Sequence, residues 1–116
     1  VAQKSFQDAM NENLQFIRRA LHRIEAGEAP ETELRNVRVY LMHTLDLIEP
    51  DSRITESADE LSRLVTKCAL EQGREVLTQE AHVPDRAHAM NDAFARLRVA
   101  LAAARPNDQA LRMGLH

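Results

Sequence analysis

The sequence predicts an all-α fold: an antiparallel up-down-up-down four-helix bundle with a short C-terminal tail helix, formed by residues 1–116 as a single domain. Four apolar stripes recur in steps of three and four residues, and Pro or Gly residues mark short breaks between them. The chain has three Phe, one Tyr and no Trp, so its core must be largely aliphatic, as in helix bundles. Because the breaks are short, successive helices are expected to run antiparallel.

The first two helices have recognisable start and stop signals. Ser5 stands at capping-box spacing from Asp8, and the first helix is expected to stop at Gly27. Pro30 suits the first turn of the second helix, which Pro50 is expected to end. The stripe of helix one consists of Phe6, Met10, Leu14, Ile17, Leu21 and Ile24. The stripe of helix two consists of Leu34, Val37, Leu41, Leu45 and Ile48.

The third helix is predicted from a second capping-box spacing, between Ser57 and Glu60. It is therefore expected to begin within residues 54–58 and to run towards Glu80. Gly73 in its interior costs about 1 kcal/mol relative to Ala, and the sequence leaves open whether the helix bends or breaks there.

The fourth helix is opened by Pro84 and is expected to end near Ala104, before Pro106. Its stripe consists of Val83, Ala87, Met90, Phe94, Leu97, Leu101 and Ala104. Asn107 or Asp108 is expected to cap the tail helix. That helix carries Ala110, Leu111 and Leu115.

Composition narrows the classes of function. The net charge of −3 argues against a general nucleic-acid binder, and no apolar run approaches the roughly 18 residues of a membrane span. Residues 51–80 hold seven acids and four bases, whereas residues 81–116 hold five bases and three acids, so helices three and four are expected to complement each other. Cys68 is the single cysteine and the start of the chain has no secretory pattern, which predicts a cytoplasmic protein with a thiol in its core.

Residues that could carry chemistry are sparse. Asp85, His88 and Asp92 fall on one side of helix four, but a di-iron bundle needs Glu-x-x-His on two helices and a Glu from each of the others. His43 has no adjacent Lys and Gly to stabilise a phosphoryl group, and no glycine-rich loop could cradle phosphate. We therefore expect no metal, no cofactor and no enzymatic activity.

Apolar residues exceed what one core needs on helices two and four. At 100° per residue, Tyr40 and Leu47 widen the stripe of helix two, and Val39 lies well outside it. Helix four carries small apolar residues opposite its stripe, where another helix could approach closely, although Ala is also the best helix former in water. This surplus predicts a protein-docking surface. The predicted contact residues are Val39, Leu47, Ala95, Val99 and Ala102.

Five short segments carry a family resemblance: residues 14–20 (LQFIRRA), 24–28 (IEAGE), 44–46 (TLD), 61–64 (LSRL) and 97–100 (LRVA). In this order the chain resembles the flagellin-specific export chaperones, which are small cytosolic helical bundles of secretion systems. It departs from them at Ala9-Met10, where the family has Leu-Tyr, and at Val65, where the family has Tyr. The resemblance implies a protein that binds the disordered C-terminal segment of an aggregation-prone secreted subunit and keeps that subunit unpolymerised.

The leading hypothesis is a non-enzymatic cytoplasmic bundle that binds a protein partner, namely a flagellin-like C-terminal segment if the resemblance holds. The alternative is a homodimerising structural or regulatory domain of a larger bacterial protein.

Overall fold

The helices expected from the apolar stripes form in the order predicted. A computed structural model describes the backbone of residues 5–78 and 83–116, and the side chains of residues 5–71 and 87–116. The long helices are α1 (Phe6–Glu25), α2 (Pro30–Leu45), α3 (Ser52–Thr78) and α4 (Val83–Leu101), and the tail helix is α5 (Asp108–Arg112). The described ranges contain no β-strand, so the all-α prediction is confirmed.

The four long helices pack as a bundle. Contacts are most extensive within two hairpins, α1 with α2 and α3 with α4, while α2 also packs on α3, and α1 on α4. Because the connections are only a few residues long, neighbouring helices run antiparallel. Among the described residues, α1 and α4 make the least extensive contact of the four neighbouring pairs. The bundle is therefore most open along the α1/α4 seam.

The predicted helix ends are correct where local chemistry decides them. The Ser5 hydroxyl accepts a hydrogen bond from the Asp8 backbone N–H (3.1 Å), so Ser5 caps α1. Gly27, with φ of 74°, takes the left-handed backbone that ends the turn after α1. Pro30 occupies the first turn of α2, and the Asn107 side chain caps α5.

The ends of α2 and α4 lie earlier than predicted. α2 stops at Leu45 rather than near Pro50, since the following backbone pairs with the segment before α5. There the Glu49 N–H donates to the Arg105 carbonyl (2.9 Å), and the Asn107 N–H donates to the Leu47 carbonyl (3.0 Å). These contacts compete with further helical hydrogen bonds. α4 likewise stops at Leu101 rather than near residue 104.

The predicted start of α3 at residues 54–58 is also wrong, because Asp51 starts the helix at Ser52. The Asp51 carboxylate accepts a hydrogen bond from the Arg53 N–H (2.9 Å). The Ser57–Glu60 spacing therefore lies inside the helix, and α3 continues through Gly73 to Thr78.

The stripes predicted for the core are buried or partly buried wherever their side chains are described; Val83 lies outside that range. Cys68 is in the core as expected, and Ala110 and Leu115 of the tail are buried against the bundle, whereas Leu111 is exposed. The tail also closes on the start of α1, since the Phe6 N–H donates to the His116 carbonyl (3.1 Å). Among the described residues, no helix has both the length and the hydropathy of a membrane span.

Candidate protein-docking surface

A groove of about 430 Å³ runs between α1 and α4, and we call it the α1/α4 groove. Its lining residues are Gln7, Met10, Asn11 and Leu14 from α1, and Ala95, Arg98, Val99, Leu101 and Ala102 from α4. A second depression of about 310 Å³ continues it along the seam, sharing Asn11, Leu14 and Arg98 and adding Gln15, Arg18 and Phe94. The two depressions therefore form one continuous surface feature.

The groove exists because small and polar side chains line this seam. Ala95 and Ala102 present only methyl groups on α4, so they cannot fill the space towards α1. Met10 and Leu101 are fully buried and form the floor. Val99 is 75% exposed at the wall of the groove. The result is an open concavity with an apolar floor and an apolar wall.

The polar rim of the α1/α4 groove carries positive charge. Arg98 lines both parts of it and Arg18 lines the extension, while no Asp or Glu is among the described residues of the lining. Further along the seam, the Asn91 side-chain amide donates to the Glu25 carboxylate (2.9 Å) and ties the two helices together. This hydrogen bond marks the closed end of the seam.

Three of the five predicted docking residues lie together. Ala95, Val99 and Ala102 all line the α1/α4 groove. Leu47 is partly buried and lines a different groove of about 400 Å³. Val39 is 37% exposed and lines neither groove. The five residues therefore do not form one surface, and the docking role of Val39 and Leu47 stays a prediction.

The groove at Leu47 lies on the opposite flank of α1. Its α1 residues are Ala9, Glu12 and Asn13, which alternate along the helix with those of the α1/α4 groove and so point to the other side. The remaining lining comes from the end of α2 and from the tail, where Met113 is exposed. Its rim contains Glu12 and Asp46, so it has the opposite charge to the α1/α4 groove.

Tyr40, which widens the stripe of α2, is accounted for by packing within the hairpin. Its ring stacks on Phe16 of α1 with centroids 4.9 Å apart and planes 11° from parallel. The Arg19 guanidinium lies 5.9 Å from the Phe16 centroid, and the His43 ring meets Tyr40 edge-on at 6.4 Å. The stack stabilises the α1–α2 pairing and accounts for the wider apolar stripe of α2.

Among the described residues, the candidates for metal or phosphoryl chemistry do not form a cluster. The exposed His88 ring lies 4.0 Å from the Asp92 carboxylate, and the side chain of Asp85 lies outside the described residues. Within the described part of the chain, no group of three His, Cys, Asp or Glu side chains is arranged to hold a metal ion. His43 is exposed beside Tyr40.

Reasoning from single helices missed the α1 wall of the α1/α4 groove. Gln7, Asn11, Gln15 and Arg18 recur on α1 at spacings of three and four, which is the available signal for a shared face. On its own this pattern is that of an ordinary solvated face. Only the packing of α4 beside it turns the face into the wall of a groove.

Comparison with known proteins leaves the family open. The likeness to export chaperones rests on five short segments of amphipathic helix. No protein-family model, curated protein or solved structure matches this chain.

Proposed function

We propose that this protein is a non-catalytic helical bundle that binds a helical segment of another protein in the α1/α4 groove. The observation that carries the proposal is Val99, which is 75% exposed on the wall of a concave apolar surface. Ala95 and Ala102 flank it and allow a partner backbone to approach closely. A helix laid into an apolar groove is a common mode of peptide recognition.

Covering Val99 offers a useful amount of binding energy. Complete burial of a Val side chain contributes about 1.5–3 kcal/mol, and most of that remains to be gained at a side chain that is 75% exposed. Leu14, which is only partly buried, extends the same apolar surface along the seam, whereas Phe94 is 6% exposed and adds little to it. A partner helix that covers Val99 and the exposed part of Leu14 would gain from both, offset by the entropy lost on association.

More specifically, we propose that the bundle is an export chaperone for a secreted subunit. The partner is then the disordered C-terminal segment of a flagellin-like protein, held unpolymerised in the cytoplasm. The resemblance of the five segments supports this assignment, and an open apolar groove suits it because holding a client needs no catalytic group.

Two matched substitutions test the proposal. Val99→Asp puts a carboxylate into the α1/α4 groove, whereas Val39→Asp puts the same group on α2 outside that groove and so tests the docking role predicted for Val39 at the same time. Each tagged variant is purified from the native host, and co-purifying proteins are identified and quantified by mass spectrometry. We expect one secreted subunit to be retained by wild type and Val39→Asp, and to fall at least about tenfold with Val99→Asp. Equal recovery with both variants would reject the groove as the docking site.

The homodimer alternative is tested by measuring self-association. Sedimentation equilibrium of the pure protein over a wide concentration range measures self-association directly. We expect a monomer. A wild-type dimer that dissociates with Val99→Asp would assign the groove to a second copy of this chain and reject the proposed function.

A further inference from the structure

We propose that the segment bound in the α1/α4 groove is an acidic amphipathic helix of about three turns, whose carboxylates pair with Arg18 and Arg98. This inference deepens the proposed function and rests on it. It adds the charge and the length of the partner segment, which the apolar surface alone leaves open.

The charge follows from two guanidinium groups that the fold leaves without a counter-ion. Within the described part of the chain, neither Arg18 nor Arg98 has a carboxylate within 4.0 Å, although both line the groove. Three of the described arginines do have such a partner, among them Arg96, 2.6 Å from the Glu60 carboxylate, and Arg23, 3.4 Å from that of Glu33. Other described arginines, such as Arg35 of α2, also have no carboxylate within 4.0 Å. What distinguishes Arg18 and Arg98 is that both line the apolar groove, so their charge is available to a partner bound there.

The chemistry of the groove favours a carboxylate-bearing helix over other anions. A guanidinium binds a carboxylate through two parallel hydrogen bonds, and its alkyl stem can lie along apolar surface. Arg98 lines the groove together with Leu14 and Val99, so an occupant meets both charge and apolar surface. A nucleic acid would leave that apolar surface uncovered, and a net charge of −3 gives the protein no general attraction for one.

The length follows from the part of α1 that lines the groove. From Gln7 to Arg18 the lining spans eleven residue steps, or about 16 Å at 1.5 Å per residue. A helix of three turns has the same length. Beyond Arg18 the hydrogen bond between Asn91 and Glu25 closes the seam, and Glu25 would repel an acidic segment that ran further.

Selection from a peptide library tests the charge of the bound segment without assuming its sequence. A displayed library of peptides of about 14 residues fixes Leu at i, i+3, i+7 and i+10. Every other position encodes Glu, Lys, Gln and Ala equally. Selection on immobilised wild-type protein is run with an excess of soluble Val99→Asp protein, which removes peptides that bind elsewhere. We expect Glu to be enriched and Lys depleted in the selected pool.

Affinities of the selected peptides then assign the charge preference to the two arginines. We expect the double variant Arg18→Gln/Arg98→Gln to bind them roughly five- to tenfold more weakly than wild type, with the difference shrinking as salt is raised. Arg35→Gln is the matched control, since Arg35 is an exposed arginine of α2 outside this groove, and it should bind as wild type does.

The outcomes separate the two proposals. Selected peptides without an excess of Glu, or with Glu but equal affinity for the double variant, would overturn the acidic partner and leave the docking groove standing. Failure of the library to yield any peptide sensitive to Val99→Asp would overturn both. Single-stranded DNA that displaces the peptides and depends on both arginines, or a wild-type dimer broken by the double variant, would overturn the assignment to an acidic helix.

Discussion

Leu97 and Val99 lie two residues apart on α4, but truncation of Leu97 should destabilise the protein while truncation of Val99 should have almost no effect. The Leu97 side chain is 1% exposed within the core, whereas Val99 is 75% exposed. Leu97→Ala removes buried carbons and leaves a cavity, so we expect the free energy of unfolding to fall by about 3 kcal/mol. In Val99→Ala the two carbons removed are about one-quarter buried and their loss costs about 0.4 kcal/mol, which the better helix propensity of Ala offsets by a similar amount.

Urea denaturation followed by circular dichroism measures both changes at 25 °C. With a slope of about 1–3 kcal/mol per molar urea, Leu97→Ala should lower the midpoint by about 1–3 M, while Val99→Ala should leave it nearly unchanged. A loss above about 1.5 kcal/mol for Val99→Ala would mean that this side chain is covered in solution and would refute the assignment of an open wall. Repeating the measurement at several protein concentrations shows whether a second copy provides the cover, since a dimer makes the midpoint concentration-dependent.

Three further substitutions test the local structure in the same assay. Ala29 precedes α2 with φ of 42°, in the left-handed region, so Ala29→Gly should raise the free energy of unfolding by about 0.5–1 kcal/mol; a loss would contradict that backbone. Asn107→Ala removes the side chain that accepts from the Ala110 N–H (2.9 Å) and should cost about 1–2 kcal/mol, whereas no change would argue against a docked tail helix. Arg96→Gln breaks the partly exposed ion pair with Glu60 and should cost under about 1 kcal/mol, a difference that high salt reduces; a salt-independent loss would point to packing instead.

The helices and most of their ends could be predicted because local sequence determines them. Ser5 and Asn107 cap helices with their own side chains, and Gly27 accepts a left-handed backbone, so three residues suffice to locate three helix ends. The end of α2 depends instead on pairing between distant segments, at Glu49 and Arg105. No periodicity within α2 contains that information, and the predicted helix was therefore too long.

The candidate site could be predicted only in part for a related reason. A helical wheel correctly places Val99 on the outer side of α4, because the apolar stripe of α4 itself shows which side of the helix faces the core. It cannot tell which neighbour stands beside that outer side, so the α1 residue Arg18 was missed. It also cannot show that Val39 and Leu47 open onto other surfaces than the α1/α4 groove.

The most direct test of a docking groove between α1 and α4 is a methyl NMR titration of the protein with the partner segment, or with a selected acidic peptide. Ala and Val methyl groups are labelled, and those of Ala95, Val99 and Ala102 report on the groove, while that of Val39 reports on the outer side of α2. We expect shifts that saturate at the three groove residues and none at Val39. Shifts at Val39 with Val99 unchanged would contradict the account and move the binding surface to α2.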